Sequence, residues 1–115
     1  MPVVTPIAVS EEFEPLNVDG DRTAAFVAGA LKADRLIFLT DVQGLVLKGK
    51  AVPKISASEI SEVLSSIGHG MSTKVHAALD ALNQGVGEVL ITSGLEKASI
   101  SSALKHESGT VISRE

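Results

Sequence analysis

Apolar positions along the chain recur at two spacings, and the switches between them mark out the elements. Residues Pro2 to Val9 carry Val3, Val4, Ile7 and Val9 and read as a buried strand, which Pro6 confines or bends. An acidic, turn-like stretch from Ser10 to Pro15 follows. From Asp21 to Lys32 the spacing becomes helical: Ala24, Val27, Ala28 and Leu31 fall at i, i+3, i+4 and i+7. The alanines and Gly29 of that helix predict close packing against a sheet. Leu36 to Leu39 is a continuous apolar run, the pattern of a strand buried on both faces. Leu45-Val46-Leu47 and Ala51-Val52 flank Lys48-Gly49-Lys50 as a small hairpin with solvated lysines at its tip. Ser56 and Glu59 have the spacing of a capping box, and Ile60, Val63, Leu64 and Ile67 form one stripe behind it. A further helix carries Met71, Val75, Ala78, Leu79 and Leu82 on one face and closes at Gly85. A strand over Glu88–Thr92, a helix over Ala98–Lys105 and a closing strand over Gly109–Ile112 complete the order. The alternation predicts an α/β fold with a largely parallel sheet.

Composition narrows the function classes. The 115 residues suit a single domain, 1–115, with one core. With no Cys, Trp or Tyr, that core is aliphatic, and a disulfide frame or thiolate metal site is excluded. A net charge of −4, scattered basic residues and only three phenylalanines argue against a nucleic-acid surface. No apolar run reaches the length of a membrane span, and the start lacks the regions of a signal peptide, so a cytoplasmic protein is expected. Met1-Pro2-Val3-Val4 opens directly into a strand pattern, which suits the middle of a longer chain as well as a true start.

Two polar clusters carry candidate chemistry. Asn17, Asp19 and Asp21 stand within five residues at the mouth of the first helix. Helix starts in α/β folds hold ligands because their backbone N–H groups are unpaired, yet Asp and Asn are also ordinary helix caps. Roughly fifty residues on, Gly68-His69-Gly70 precedes a helix with Lys74 expected on its first turn. A lysine placed against the macrodipole fits best with an anion between them, phosphate above all. A solvated lysine is the alternative. The segment is not a Walker A loop, because Thr73 precedes the lysine and Val75 follows it. The Asp19 cluster is not an EF-hand, because Arg22 stands where that loop needs Gly. Thr40 and Asp41, just past a strand end, are further ligand candidates or simply a turn. His69 is a candidate ligand in the glycine turn; His76 and His106 read as structural or exposed, and three separated histidines make no metal site.

Taken together, these clusters resemble the amino acid kinases, and acetylglutamate kinases in particular. Asn17-Val18-Asp19-Gly20-Asp21 before an Ala-rich helix resembles their N-x-(N/D)-x-D segment. Leu39-Thr40-Asp41-Val42-Gln43-Gly44 is similar to their L-T/S-D-V-x-G strand end. Gly70-Met71-Ser72-Thr73-Lys74-Val75 with Ala77-Ala78 is similar to their G-M-x-x-K-x-x-A-A helix start. Gly109-Thr110-Val111-Ile112 is similar to their closing G-T-x-I. All four stand in the family's order. The wording around Asp19 and Gly70 looks most like the archaeal branch, which acts on glutamate or aminoadipate held by a small acidic carrier protein.

The resemblance implies a three-layer sandwich and a kinase that moves the γ-phosphoryl of ATP to a side-chain carboxylate, in lysine or arginine biosynthesis. It implies Lys74 and Asp21 as catalytic residues and Asn17 as a substrate contact. It implies Thr40, Asp41, Gly70, Met71 and Lys74 as nucleotide contacts, with Mg²⁺ arriving on the nucleotide. The acceptor would be an N-blocked amino acid or its carrier protein, and the enzyme a homo-oligomer. The chain matches only the family's nucleotide-binding C-terminal half. The glycine-rich loop with the first catalytic lysine, and the Gly-Gly and Arg elements that grip substrate, are not in it. An N-terminal half in cis or in trans is therefore expected, and the 115 residues alone are expected to be inactive. The alternative is a non-catalytic nucleotide-binding or assembly module that retains the fold.

Overall fold

The computed structural model describes residues 1–115. The chain opens with a short antiparallel hairpin, β1 (Ile7–Val9) and β2 (Pro15–Asn17), followed by α1 (Gly20–Ala30) and β3 (Arg35–Thr40). A two-strand hairpin, β4 (Val46–Leu47) and β5 (Lys50–Ala51), leads into β6 (Lys54–Ser56) and α2 (Ala57–Val63). After a 3₁₀ turn at Leu64–Ser66 come α3 (His69–Asn83), β7 (Glu88–Ser93), α4 (Ser99–Leu104) and β8 (Thr110–Ser113). The main sheet has the order β3-β7-β8-β6. β3 runs parallel to β7 and β6 parallel to β8, while β7 and β8 are antiparallel, so the sheet is mostly parallel.

Alternation along the central strands divides the core between the two faces of the sheet. Phe38, Val89, Ile91 and Ile112 pack with Ala25, Ala28, Val75, Ala78 and Leu82 from α1 and α3. Leu90 and Val111, with Ile37 beside them, face Ala103 of α4 on the other side. The result is the three-layer arrangement expected. The capping box forms as its spacing requires: Ser56 Oγ accepts Glu59 N–H while the Glu59 carboxylate accepts Ser56 N–H. The β4–β5 tip is a two-residue turn with positive φ at both Lys48 and Gly49, which matches strand twist.

Four expectations need correction. The opening strand spans only Ile7–Val9, and its residues are exposed rather than buried, because it pairs with β2 and not with the main sheet. The buried face of α1 is Ala25, Ala28 and Gly29, whereas Val27 and Leu31 point outward. The cause is the closeness of α1 and α3: a Cβ on Gly29 would lie 2.7 Å from the Gln84 side chain, so small residues take that interface and bulky ones leave it. β3 is an edge strand of the four, and Leu39 is 48% exposed, so it is not buried on both faces. Finally, β6 has no counterpart in the sequence reading, since three residues with one buried side chain, Ile55, show no periodicity.

The topology gathers loops along one edge. α1 and α3 each precede one of the two parallel strands and run opposite to it, so both helix starts lie near the ends of β3 and β7. The reversal of β8 brings its first residue, Thr110, opposite Ile91 near the same edge. The other edge is held by Glu88, whose carboxylate bonds both the Arg35 guanidinium and the His106 ring. Burial would raise the Glu88 pKa, but the hydrogen bonds and charges of His106 and Arg35 outweigh it and hold the carboxyl below its ordinary value of 4.5.

Candidate functional site

Of the two carboxylates that open α1, one caps the helix and the other does not. Asp19 is the N-cap of α1: its carboxylate accepts Arg22 N–H at 2.9 Å, and its carbonyl accepts the Thr23 hydroxyl. Asp21 has no part in that cap. Its carboxylate reaches across to α3, where Lys74 Nζ lies 3.0 Å from one oxygen and 3.2 Å from the other. The two side chains are 20% and 22% exposed, so the pair is shielded from water on most sides. Arg22 also meets α3, at Asp80, but at 3.5 Å and largely exposed, and such a pair adds little.

Lys74 lies in the second turn of α3, not the first, because the helix already begins at His69. Gly70 is therefore a helical residue rather than part of the preceding turn. Gly68, the N-cap, offers no side-chain oxygen, and the first turn holds no acidic residue. The leading N–H groups of α3 thus lack both a helical and a side-chain partner. A Cβ on Gly68 or Gly70 would meet nothing within 4 Å, which leaves open space over this turn. Met71 is half-buried with its side chain packed against the core. His69 and His76 line an entirely polar depression with Arg22, Ser72, Thr73 and Asp80, and no cluster of metal-ligating side chains forms.

The strand ends supply the facing side. Thr40 closes β3, with its hydroxyl 3.2 Å from the exposed Asp41 carboxylate. Gly94, just past β7, donates its N–H to the Thr40 carbonyl at 2.8 Å. Gln43 bonds Glu96 at 2.7 Å and joins the two loops that follow the parallel strands. Asn17 ends β2 with an exposed side chain, one residue before the turn into the Asp19 cap. Topology therefore brings Asn17, Asp21, Thr40, Asp41, Gly70 and Lys74 to one edge of the sheet, where Asp21 touches Lys74 and Thr40 touches its neighbour Asp41. Residue spacing does not single out the Gln43–Glu96 link or the buried Thr110 hydroxyl behind the loop. Thr110 does stand in the Gly109-Thr110 motif, which was the available signal.

Residues 1–93 match the amino acid kinase family. The chain belongs to the amino acid kinase family. It is 46% identical over 112 residues to the LysW-aminoadipate/LysW-glutamate kinase of Metallosphaera sedula, and covers 96% of this chain but 42% of that protein. A Nitrosopumilus maritimus protein that bears the same name provisionally is 48% identical over 114 residues, with 99% and 43% covered. Among solved structures, the amino acid kinase fold is shared with N-acetylglutamate synthase from Neisseria gonorrhoeae. There the TM-score is 0.90 at 28% identity, covering 96% of this chain and 27% of that one. Carbamate kinase from Giardia lamblia bound to AMP-PNP gives a TM-score of 0.76 at 27% identity, with 92% and 36% covered. The chain thus spans well under half the length of the curated kinases it matches. No helix is long and apolar enough to cross a membrane.

Proposed function

We propose that this chain is the nucleotide-binding part of an amino acid kinase. The complete enzyme would transfer the γ-phosphoryl of ATP to the side-chain carboxylate of an N-blocked amino acid, giving an acyl phosphate. The acceptor is carrier-linked aminoadipate or glutamate, in lysine or arginine biosynthesis, with N-acetylglutamate the close second. The observation that carries the proposal is the Lys74–Asp21 pair, held between two helix starts beside the ends of two parallel strands. The names of the archaeal relatives support the acceptor class.

In this reading Lys74 meets the phosphate chain and offsets charge on the transferring group, and Asp21 fixes the ammonium where that charge develops. The uncapped N–H groups at His69, Gly70 and Met71 add donors for phosphate oxygens. Thr40 and Asp41 line the nucleotide pocket, and Asn17 binds the acceptor. Mg²⁺ would come with the phosphates and shield their charge. Phosphoryl transfer needs positioned donors more than acid–base groups, so a lysine and glycine-rich backbone suit it.

The exposed apolar band supports a partner half. Ile7, Val9 and Leu16 of the first hairpin, Phe26 and Val27 of α1, Leu31 just past it, and Leu39 on the open strand all face outward. Lys74 supplies donors from one side only, whereas the transition state spreads charge over three oxygens. Incubation of the 115-residue chain with MgATP and acetylglutamate, or a carrier-bound acyl amino acid, should therefore give no product in a hydroxylamine trap. Adding an N-terminal half should restore it. Turnover by the chain alone would overturn the half-enzyme reading; nucleotide binding without turnover in the completed protein would favour a non-catalytic module.

A further inference from the structure

Thr110 opens β8 and is 1% exposed, yet it carries a hydroxyl where valine would fill the same space. That hydroxyl is used twice. It donates to the Val52 carbonyl at 2.6 Å and accepts Leu45 N–H at 2.8 Å. Val52 N–H in turn donates to the Leu45 carbonyl at 2.9 Å. One buried oxygen therefore closes the base of the β4–β5 hairpin and ties it to the sheet.

The neighbouring backbone is shaped around this contact. Gly44 has φ of +148°, and a Cβ there would lie 2.7 Å from Thr110 Oγ. Gly109 has φ of +78°, and a Cβ there would overlap the Ile91 carbonyl oxygen. The loop from Thr40 to Gly44 is held at its start by Gly94 N–H and midway by the exposed Gln43–Glu96 bond. At its end it is held by Thr110. Between hairpin and sheet lies a cavity of about 250 Å³ that Leu45, Val52, Ser93 and Thr110 help to line.

We propose that Thr110 is a positioning residue for the nucleotide: its hydroxyl sets the Thr40–Gly44 loop and so governs nucleotide affinity rather than the transfer step. The inference rests on the reading of Thr40 and Asp41 as nucleotide contacts. It separates the two functions of the edge, because Thr110 is joined to the Asp41 loop and not to Lys74 or Asp21.

The test uses the chain completed by its N-terminal half. Thr110→Val removes only the hydroxyl and strands the Leu45 N–H and Val52 carbonyl. It should raise the KM for MgATP roughly tenfold while kcat changes less than about twofold. Thr110→Ser keeps the hydroxyl and should bring KM back to within about twofold of the parent. Hydrogen exchange at Leu45 N–H, read without nucleotide, should speed up in the valine variant and not in the serine one. Faster exchange with an unchanged KM would refute the positioning role and leave the nucleotide reading standing. Equal effects of Val and Ser would refute the hydroxyl's part in it. A parent protein that binds no MgATP would overturn the nucleotide reading and the proposal with it. If Thr110→Val does not fold, Gly44→Ala presses on the same oxygen from the loop, and an unchanged KM there would likewise refute the proposal.

Discussion

Asp19 and Asp21 stand two residues apart at the start of α1 and serve different helices. The first closes its own helix by accepting Arg22 N–H, and the second grips Lys74 of α3. Two carboxylates of the same type and nearly the same position are thus separable by mutation.

Asp19→Ala should cost about 1 kcal/mol of stability, the usual loss for an N-cap, and leave nucleotide binding within about twofold. Urea denaturation alongside calorimetric titration with MgATP checks both parts. A large loss of binding would mean that Asp19 does more than cap.

Asp21→Asn should do the reverse in the completed enzyme. The amide keeps the shape but loses the charge that holds Lys74, so turnover should fall by about 10²-fold or more while stability drops by only about 1 kcal/mol. Comparing melting temperature with phosphoryl transfer decides it. Near-normal turnover rejects the catalytic role.

Lys74→Ala should weaken MgATP binding by about 1–3 kcal/mol, the range for a charge-assisted hydrogen bond. Calorimetric titration measures it directly. An unchanged affinity would place the phosphates elsewhere.

The far edge predicts a pH effect unrelated to the site. Glu88 is held below its ordinary value of 4.5 by His106 and Arg35 against the opposing effect of burial. The unfolded chain therefore binds the proton more readily than the folded one. Glu88 contributes stability above about pH 4.5, and that contribution is lost as pH falls through its lower folded value. Urea midpoints from pH 6 down to 3 should fall less steeply in Glu88→Gln than in the parent chain. Parallel curves would show that the carboxylate contributes nothing.

Much of this was legible where one physical signal dominated. α3 shows its buried face because Val75, Ala78 and Leu82 repeat at helical spacing over several turns. The start of α3 is harder to place from sequence, because Gly70 reads as a breaker but sits within the first turn. In α1 the helical spacing of Ala24, Val27, Ala28 and Leu31 points to a face that the structure rotates toward smaller residues. Contact between two closely packed helices prefers Ala25, Ala28 and Gly29 to Val27 and Leu31. The first strand differs for a related reason: Ile7 and Val9 are apolar but lie on a hairpin outside the main sheet. The Asp21–Lys74 pair links residues 53 positions apart, and no local pattern encodes such a contact. Joint motifs brought both residues to notice, and only the fold joins them.

The strand order also sets a timetable for the growing chain. β6 touches no strand of the main sheet except β8, and α2, α3, β7 and α4 are made between the two. During synthesis from the amino end, β3 and β7 can zip together while β6 still waits for a neighbour. The hairpin base waits too, because Leu45 and Val52 share an oxygen that belongs to Thr110. The helix pair and its ion pair need nothing from β8, whereas the loop beyond β3 can take its final course only once Thr110 has been made.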